Sequence, residues 1–270
     1  MREADEALIA DPVAAWDAVA DLWDDFVETG LDYWRTEVHG PALLAACGDL
    51  TGKRALDLGC GQGWFSRQLA MRGARVWAVD MSSRQIANAR RHEETQPLSI
   101  AYLQLDARHI AVQWPVERFD LVTACMVLQD TSHAGEILQA ASRVLAPHGR
   151  LAISFPHPVT TGPNAGWAPT EDGSKDARQI DHYFATEPSV LAWRMTRLSH
   201  HWRTPQWHRT LEEWSALFES AGLCIASMVE PRPRQEQIVA NPSLAPAGRI
   251  PYFLVLTLYP RAGATTANED

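Results

Sequence analysis

At 270 residues the chain is long enough to bury one large core and tight for two. Its 46% hydrophobic and 21% charged residues describe a globular protein, and no apolar run approaches the ~20 residues a membrane-spanning helix needs. The net charge of -9 argues against a nucleic-acid partner, which would call for a basic stripe along the phosphates.

The first residues, MREADEALIADP, are acidic and carry no apolar core of a signal peptide, so the cytoplasm is the expected location. Residues 1–50 read as a helical cover. Asp11 suits an N-cap and Pro12 a first helical position, with Val13, Trp16, Val19, Trp23 and Phe26 at helical spacing and Gly30 as the stop. A second short helix is expected from Thr36 to Ala46.

From Lys53 strands and helices alternate. RALDL predicts a strand, followed by a glycine-rich turn and a helix carrying Phe65, Leu69 and Ala70. ARVWAVD predicts the next strand, and a helix opens at Ser82-Ser83. SIAYLQLD and FDLVTACM predict the third and fourth strands. A helix through Ile137, Leu138, Ala141, Val144 and Leu145, closed by Pro147 and Gly149, precedes a fifth strand, RLAISF. Right-handed β-α-β crossovers then imply a Rossmann-like, mostly parallel sheet with helices on both faces.

The rhythm breaks over 157–209, which is rich in proline, glycine, aromatics and histidine and reads as an inserted lid. Thr210-Leu211-Glu212-Glu213 is a capping box that restores helical order. LCIASMVE and PYFLVLTLY bring the sheet to seven strands. The catalytic domain is thus expected over 51–260, with a disordered tail over 261–270. The basic residues Arg84, Arg90 and Arg91 fall on a predicted surface helix and read as a solvated face. Arg194, Arg197 and Arg203 form a second loose cluster.

The chemistry is concentrated in LDLGCGQGWF, Leu56 to Phe65, between a strand and a helix. Gly59, Gly61 and Gly63 let backbone approach a ligand at a helix N-terminus. The spacing is GxGxG with Trp64 where a dinucleotide fingerprint needs glycine, and Asp57 would repel a pyrophosphate. Both features favour a cationic ligand over a nicotinamide dinucleotide. Cys60, between two of the glycines, reads as a small filler rather than a nucleophile.

These residues resemble the first motif of the class I S-adenosylmethionine-dependent methyltransferase family, particularly its small-molecule branch. Two further motifs match in order: VWAVDMS, ending in Asp80 and Met81, and LQLDARHI with Asp106-Ala107. The resemblance implies that Asp57 and the glycines hold the methionine part of S-adenosyl-L-methionine. It likewise implies that Asp80 accepts bonds from both ribose hydroxyls, Met81 lies against the adenine and Asp106 reaches its amine. The plainer alternatives are Asp80 as a strand-end turn residue and Asp106 as a helix cap. Cys125, Met126 and Gln129, at the end of the fourth strand, should also touch the cofactor. Tyr33 and Arg35 are expected in the N-terminal cover, with Arg35 pairing with the cofactor carboxylate.

ACMVLQD lacks the NPPY or DPPY pattern of enzymes that methylate planar amines, so a small, aromatic or apolar metabolite is expected as acceptor. The tryptophans of the cover and lid (Trp16, Trp23, Trp34, Trp167, Trp193, Trp202 and Trp207), with Tyr183 and Phe184, offer walls for such a ligand. Trp16 and Trp23, seven apart on a helix, fit the core better. His157 and His208 are the candidates for a base, with fastening of the lid as their alternative role. The four cysteines, Cys47, Cys60, Cys125 and Cys224, form no CxxC, and the scattered histidines, His200-His201 included, predict no metal site. A peptide acceptor, a non-methylating regulator or cyclase and a nicotinamide-dependent oxidoreductase are the rival readings. Monomer and homodimer are equally compatible with the chain.

Overall fold

The computed structural model describes residues 3–116, 118–168, 177–194 and 201–261. The predicted tail from Ala262, Arg197 and His200 lie outside them.

Seven strands form one sheet: β1 (Arg54–Leu58), β2 (Arg75–Asp80), β3 (Ala101–Gln104), β4 (Phe119–Cys125), β5 (Leu145–Pro156), β10 (Leu223–Val229) and β11 (Phe253–Pro260). Their spatial order is β10-β11-β5-β4-β1-β2-β3. The first five pair in parallel, and β11 runs antiparallel between β5 and β10. The central strands are almost wholly buried, as parallel strands covered on both faces must be.

Side chains alternate between two cores. One face carries Leu56, Leu58, Val122 and Ala124 against α7 (Ala134–Val144) and α9 (Leu211–Ser220), where Phe155 stacks on Trp214 with centroids 4.5 Å apart. The other face carries Ala55, Ala78, Leu121 and Cys125 against α3 (Gly40–Cys47), α4 (Trp64–Ala70) and α5 (Ser83–Thr95). Each fully buried Leu or Phe contributes roughly 1.5–3 kcal/mol.

Local signals act as expected at both ends of the chain. Asp11 caps α2 (Pro12–Glu28) by accepting from Ala14 N–H at 3.0 Å, and α1 (Glu3–Ala10) precedes it. Thr210 and Glu213 form the reciprocal capping box of α9. Two expectations shift. The second N-terminal helix opens with a wide turn over Arg35–His39 before α3 begins. β5 starts at Leu145, so Pro147 and Gly149 lie within that strand rather than closing the preceding helix.

The arginines of α5 are exposed, as expected of a surface helix, but they have partners. Arg84 pairs with Asp21 at 2.5 Å, Arg91 with Asp24, and Arg90 donates to Tyr102 O at 2.9 Å. The Arg84 and Arg91 pairs, together with Asp17, which accepts from the Ser82 hydroxyl, fasten α2 along α5, while Arg90 ties α5 to β3. His92 joins Asp24 at 2.7 Å. Asp24, Glu28 and His92 converge closely enough to hold a metal, but Arg91 and Arg67 already occupy the two acids.

Within 157–209 the described residues include the short helix α8 (Pro158–Thr161) and two small antiparallel pairs. These are β6 (Gly166–Trp167) with β7 (Arg178–Gln179), and β8 (Ser189–Arg194) with β9 (His201–Gln206). Between β10 and β11 lie α10 (Gln235–Ala240) and a 3-10 turn over Pro242–Gly248, which the sequence pattern does not announce.

Candidate active site

The sheet order reverses between β1 and β4, and the crevice at their C-terminal ends is where open α/β sheets bind ligands. A cavity of about 420 Å³ lies there. Its floor is the glycine-rich turn, with Gly59 and Gly61 at φ of +58° and +55°. A β-carbon on Gly59 would stand 2.5 Å from a methyl of Val127, so the turn after β4 is laid directly on the turn after β1. Gly63 adopts φ of +88° as the N-cap of α4. Tyr102 occupies the space beside it, so it shapes the turn without lining the cavity.

Asp57 is buried on β1 and accepts from the hydroxyls of Ser66 at 2.6 Å and Thr123 at 2.7 Å. Burial outweighs these bonds and pushes its carboxyl up to about 6. Asp80, at the end of β2, accepts from Gly61 N–H at 2.8 Å on one oxygen and from Ser82 N–H at 2.9 Å on the other. Burial raises its carboxyl above the usual range. Each of its oxygens keeps acceptor capacity for a donor in the cavity. Met81 is exposed at the lip. Asp106 and Ala107 lie on the same wall. Asp106 caps the short turn Ala107–His109 and accepts Arg108 Nε at 2.8 Å and Nη2 at 2.6 Å. Its carboxyl falls below the ordinary value because those bonds outweigh partial burial.

Arg35 reaches the cavity from the cover. Its Nε donates to Asp32 at 2.8 Å, and its guanidinium lies 5.1 Å from the Trp23 ring and 5.7 Å from Trp64. Burial acts to lower its affinity for the proton, but Asp32 and the neighbouring acidic groups overcome that and keep it charged. Among the described residues its two terminal nitrogens have no hydrogen-bond partner, which leaves them for an anionic group. Cys125 and Met126 line the wall after β4. Met126 is held at φ of +58°, a strained conformation for a residue with a side chain. The Cys60 thiol is raised well above its usual range by burial, as befits a filler.

Four expected residues lie elsewhere. Tyr33 packs on Trp34 with centroids 5.2 Å apart, outside the lining, because the turn at 35–39 directs it toward Tyr252 and Phe253. Gln129 points at Asp130. His157 is buried, accepts from Val159 N–H on Nδ1 at 3.3 Å and donates from Nε2 to Glu230 at 3.1 Å. Burial lowers its proton affinity. His208 donates from Nε2 to Tyr183 O at 2.8 Å, so its Nδ1 is the acceptor for the Thr161 hydroxyl at 2.8 Å. With both ring nitrogens of each engaged outside the cavity, the two histidines are placed to fasten the lid rather than to meet a ligand.

The aromatic walls are also redistributed. Trp16, Trp23 and Trp207 line the cavity, so the two helix tryptophans serve core and site together. Trp193 and Trp202 pack on Trp23 behind it, Trp167 donates to the Tyr252 hydroxyl at 3.1 Å, and Phe184 stands exposed. Of the described residues in 157–209, Trp207 alone lines the cavity. The N-terminal segment Ile9 to Val13 covers the other side. The sequence pattern missed Asp130 and Arg108, both in the lining. The signal for Asp130 was present as the acid that closes ACMVLQD.

The methyltransferase domain family matches residues 56–153, the segment that builds β1 through β5 and the turns under the cavity. A ubiquinone biosynthesis O-methyltransferase from Aeromonas salmonicida is 37% identical over 143 residues, 53% of this chain and 60% of that protein. Its counterpart from Pseudomonas syringae pv. tomato is 35% identical over 106 residues, 39% of this chain and 45% of that one. The chain thus spans about half the length of these relatives. An S-adenosylmethionine-dependent methyltransferase from Mesorhizobium loti superposes with a TM-score of 0.66 at 28% identity, covering 81% of this chain and 95% of that one. Residues 56–153 are thus a methyltransferase domain, and the fold around them is that of S-adenosylmethionine-dependent methyltransferases. The match spans the five parallel strands β1 to β5 and the motif turns, while the 157–209 segment, β10 and β11 fall outside it. None of the described helices is long and apolar enough to cross a membrane.

Proposed function

We propose that this protein binds S-adenosylmethionine over the glycine-rich turn and transfers its methyl group to a small, aromatic or apolar metabolite. The observation that carries the reading is Asp80, whose two oxygens are fixed by separate backbone N–H groups with acceptor capacity left toward the cavity. A ribose diol offers the two matching donors.

The remaining donor set fits the same ligand. Gln85 Oε1 is buried at the cavity wall without a partner, and Arg35 presents unpaired guanidinium nitrogens suited to a carboxylate. When bound, the cofactor supplies a methyl group on a sulfonium, a good leaving group for in-line displacement. The protein's own contribution is placement and exclusion of water. The turns after β1 and β4 fix the two reactants side by side, and α2 and Trp207 cover them. The cavity volume lies near the lower end of the range for small-molecule sites (~300–1,000 Å³), which favours a metabolite over a peptide. Relatives named as O-methyltransferases favour an oxygen acceptor.

Calorimetric titration with S-adenosylhomocysteine tests the reading. Low-micromolar binding is expected, weakened at least about tenfold, or 1.4 kcal/mol, in Asp80→Ala. Binding of NADH in its place would overturn it.

A further inference from the structure

Asp11, Asp57, Asp80, Asp106 and Asp130 line the cavity, and four of them are already bonded to backbone N–H groups, hydroxyls or a guanidinium. Asp130 differs. Among the described residues its one hydrogen bond is from Gln129 Nε2 to Oδ2 at 3.1 Å, and the Gln129 Oε1 is itself buried without a partner. The backbone around it, by contrast, is held firmly. Arg209 donates to Leu128 O at 3.1 Å and to Thr131 O at 2.7 Å, and Trp207 N–H donates to Gln129 O at 2.7 Å. The turn Leu128–Asp130 follows β4 and is seated on the glycine-rich turn through Val127. A rigidly placed acid with an open oxygen therefore faces the cavity beside the cofactor turn.

We propose that Asp130 accepts the proton of the methyl acceptor, which is therefore a neutral hydroxyl or amine rather than a carboxylate. This rests on the methyl-transfer reading above. As the acceptor's lone pair bonds to the methyl carbon, the S–C bond breaks and its electron pair stays on sulfur, giving a neutral thioether. The acceptor's proton passes to the Asp130 carboxylate and leaves to water when the next sulfonium arrives. One sulfonium and one carboxylate are consumed, so charge balances.

The surroundings couple the two groups. Burial holds the Asp130 carboxyl well above its ordinary range. Among the described residues no neighbouring cation offsets this: Arg35 is paired with Asp32, Arg108 with Asp106 and Glu136, His133 with Glu136, and Arg209 points at main-chain oxygens. Asp57, Asp80 and Cys125 add no positive charge. Burial thus favours the neutral acid in the empty protein, and an arriving sulfonium favours the carboxylate, arming the base when the methyl donor is in place.

The test needs no acceptor. Titration of the full-length protein with S-adenosylmethionine and with S-adenosylhomocysteine, each in two buffers of unlike ionisation enthalpy at neutral pH, counts the protons released. The sulfonium ligand is expected to release up to one proton more than the thioether, and Asp130→Asn should bind both ligands with that difference abolished. Asp130→Ser serves if the amide variant misfolds. Equal release by the two ligands in the wild type, or a difference that survives substitution, overturns the proposal. Failure of both ligands to bind the wild type removes the cofactor reading instead, and this inference with it.

Discussion

Asp57 has both carboxylate oxygens satisfied and is nevertheless held at about 6, because burial penalises its charge more than two hydroxyls repay. An unfolded aspartate titrates near 3.8. Between those values the folded state binds more protons than the unfolded one, so stability falls as pH rises through the window. The penalty is absent below the lower value and complete above the upper one. Urea unfolding of wild type and Asp57→Asn from acid to neutral pH should show the wild type losing ground by a ceiling of roughly 3 kcal/mol. A difference that stays flat with pH would mean the carboxyl is better solvated than its burial implies. Asp57, Asp80 and the Asp106-Ala107 pair were legible in the sequence because each lies at or just past the end of a strand in a contiguous motif. What they hydrogen-bond was not, since Thr123 lies on a different strand and meets Asp57 only once the sheet forms.

Among the elements, the contact between the turns after β1 and β4 organises the site. Gly59→Ala would meet two costs, a left-handed backbone at roughly 1–2 kcal/mol and a clash with Val127 of roughly 1–3 kcal/mol. Thermal melts should show a large loss for Gly59→Ala and partial recovery in Gly59→Ala/Val127→Ala. No recovery would mean the turn fails for conformational reasons alone. The strand-helix core was readable because its hydrophobic period is local and its stops are glycines and caps. The lid was not: its placement depends on pairs such as His208 with Thr161 and Tyr183, which no periodicity records. The same blindness made the two histidines attractive as bases. Their position after β5 and before α9 is near the site, but the ring direction is set by remote partners.

Across the whole molecule, His157 ties the end of β5 to Glu230 beyond β10, and His208 ties two parts of the 157–209 segment to each other. His208→Ala removes a buried ring that serves two partners, and a loss of about 1–3 kcal/mol is expected in urea unfolding, with affinity for S-adenosylhomocysteine changed little. A sharp fall in affinity with stability intact would return His208 to the site. The cover rests on the 157–209 segment through the cluster of Trp23, Phe26, Trp193 and Trp202, and it is also attached by charge pairs, Asp21 to Arg84, Asp24 to Arg91 and His92, and Asp5 to Arg203. Oil-like contacts tighten in brine, whereas charge pairs at a surface loosen as the screening distance shrinks from about 10 Å at 0.1 M salt to about 3 Å at 1 M. Residence time in the cavity therefore acquires an electrolyte dependence: stopped-flow displacement of S-adenosylhomocysteine should quicken with added sodium chloride, and less so in Arg84→Ala/Arg91→Ala. Ligand exchange would then be tuned by the ionic composition of the surroundings through a clasp far from the glycine-rich turn.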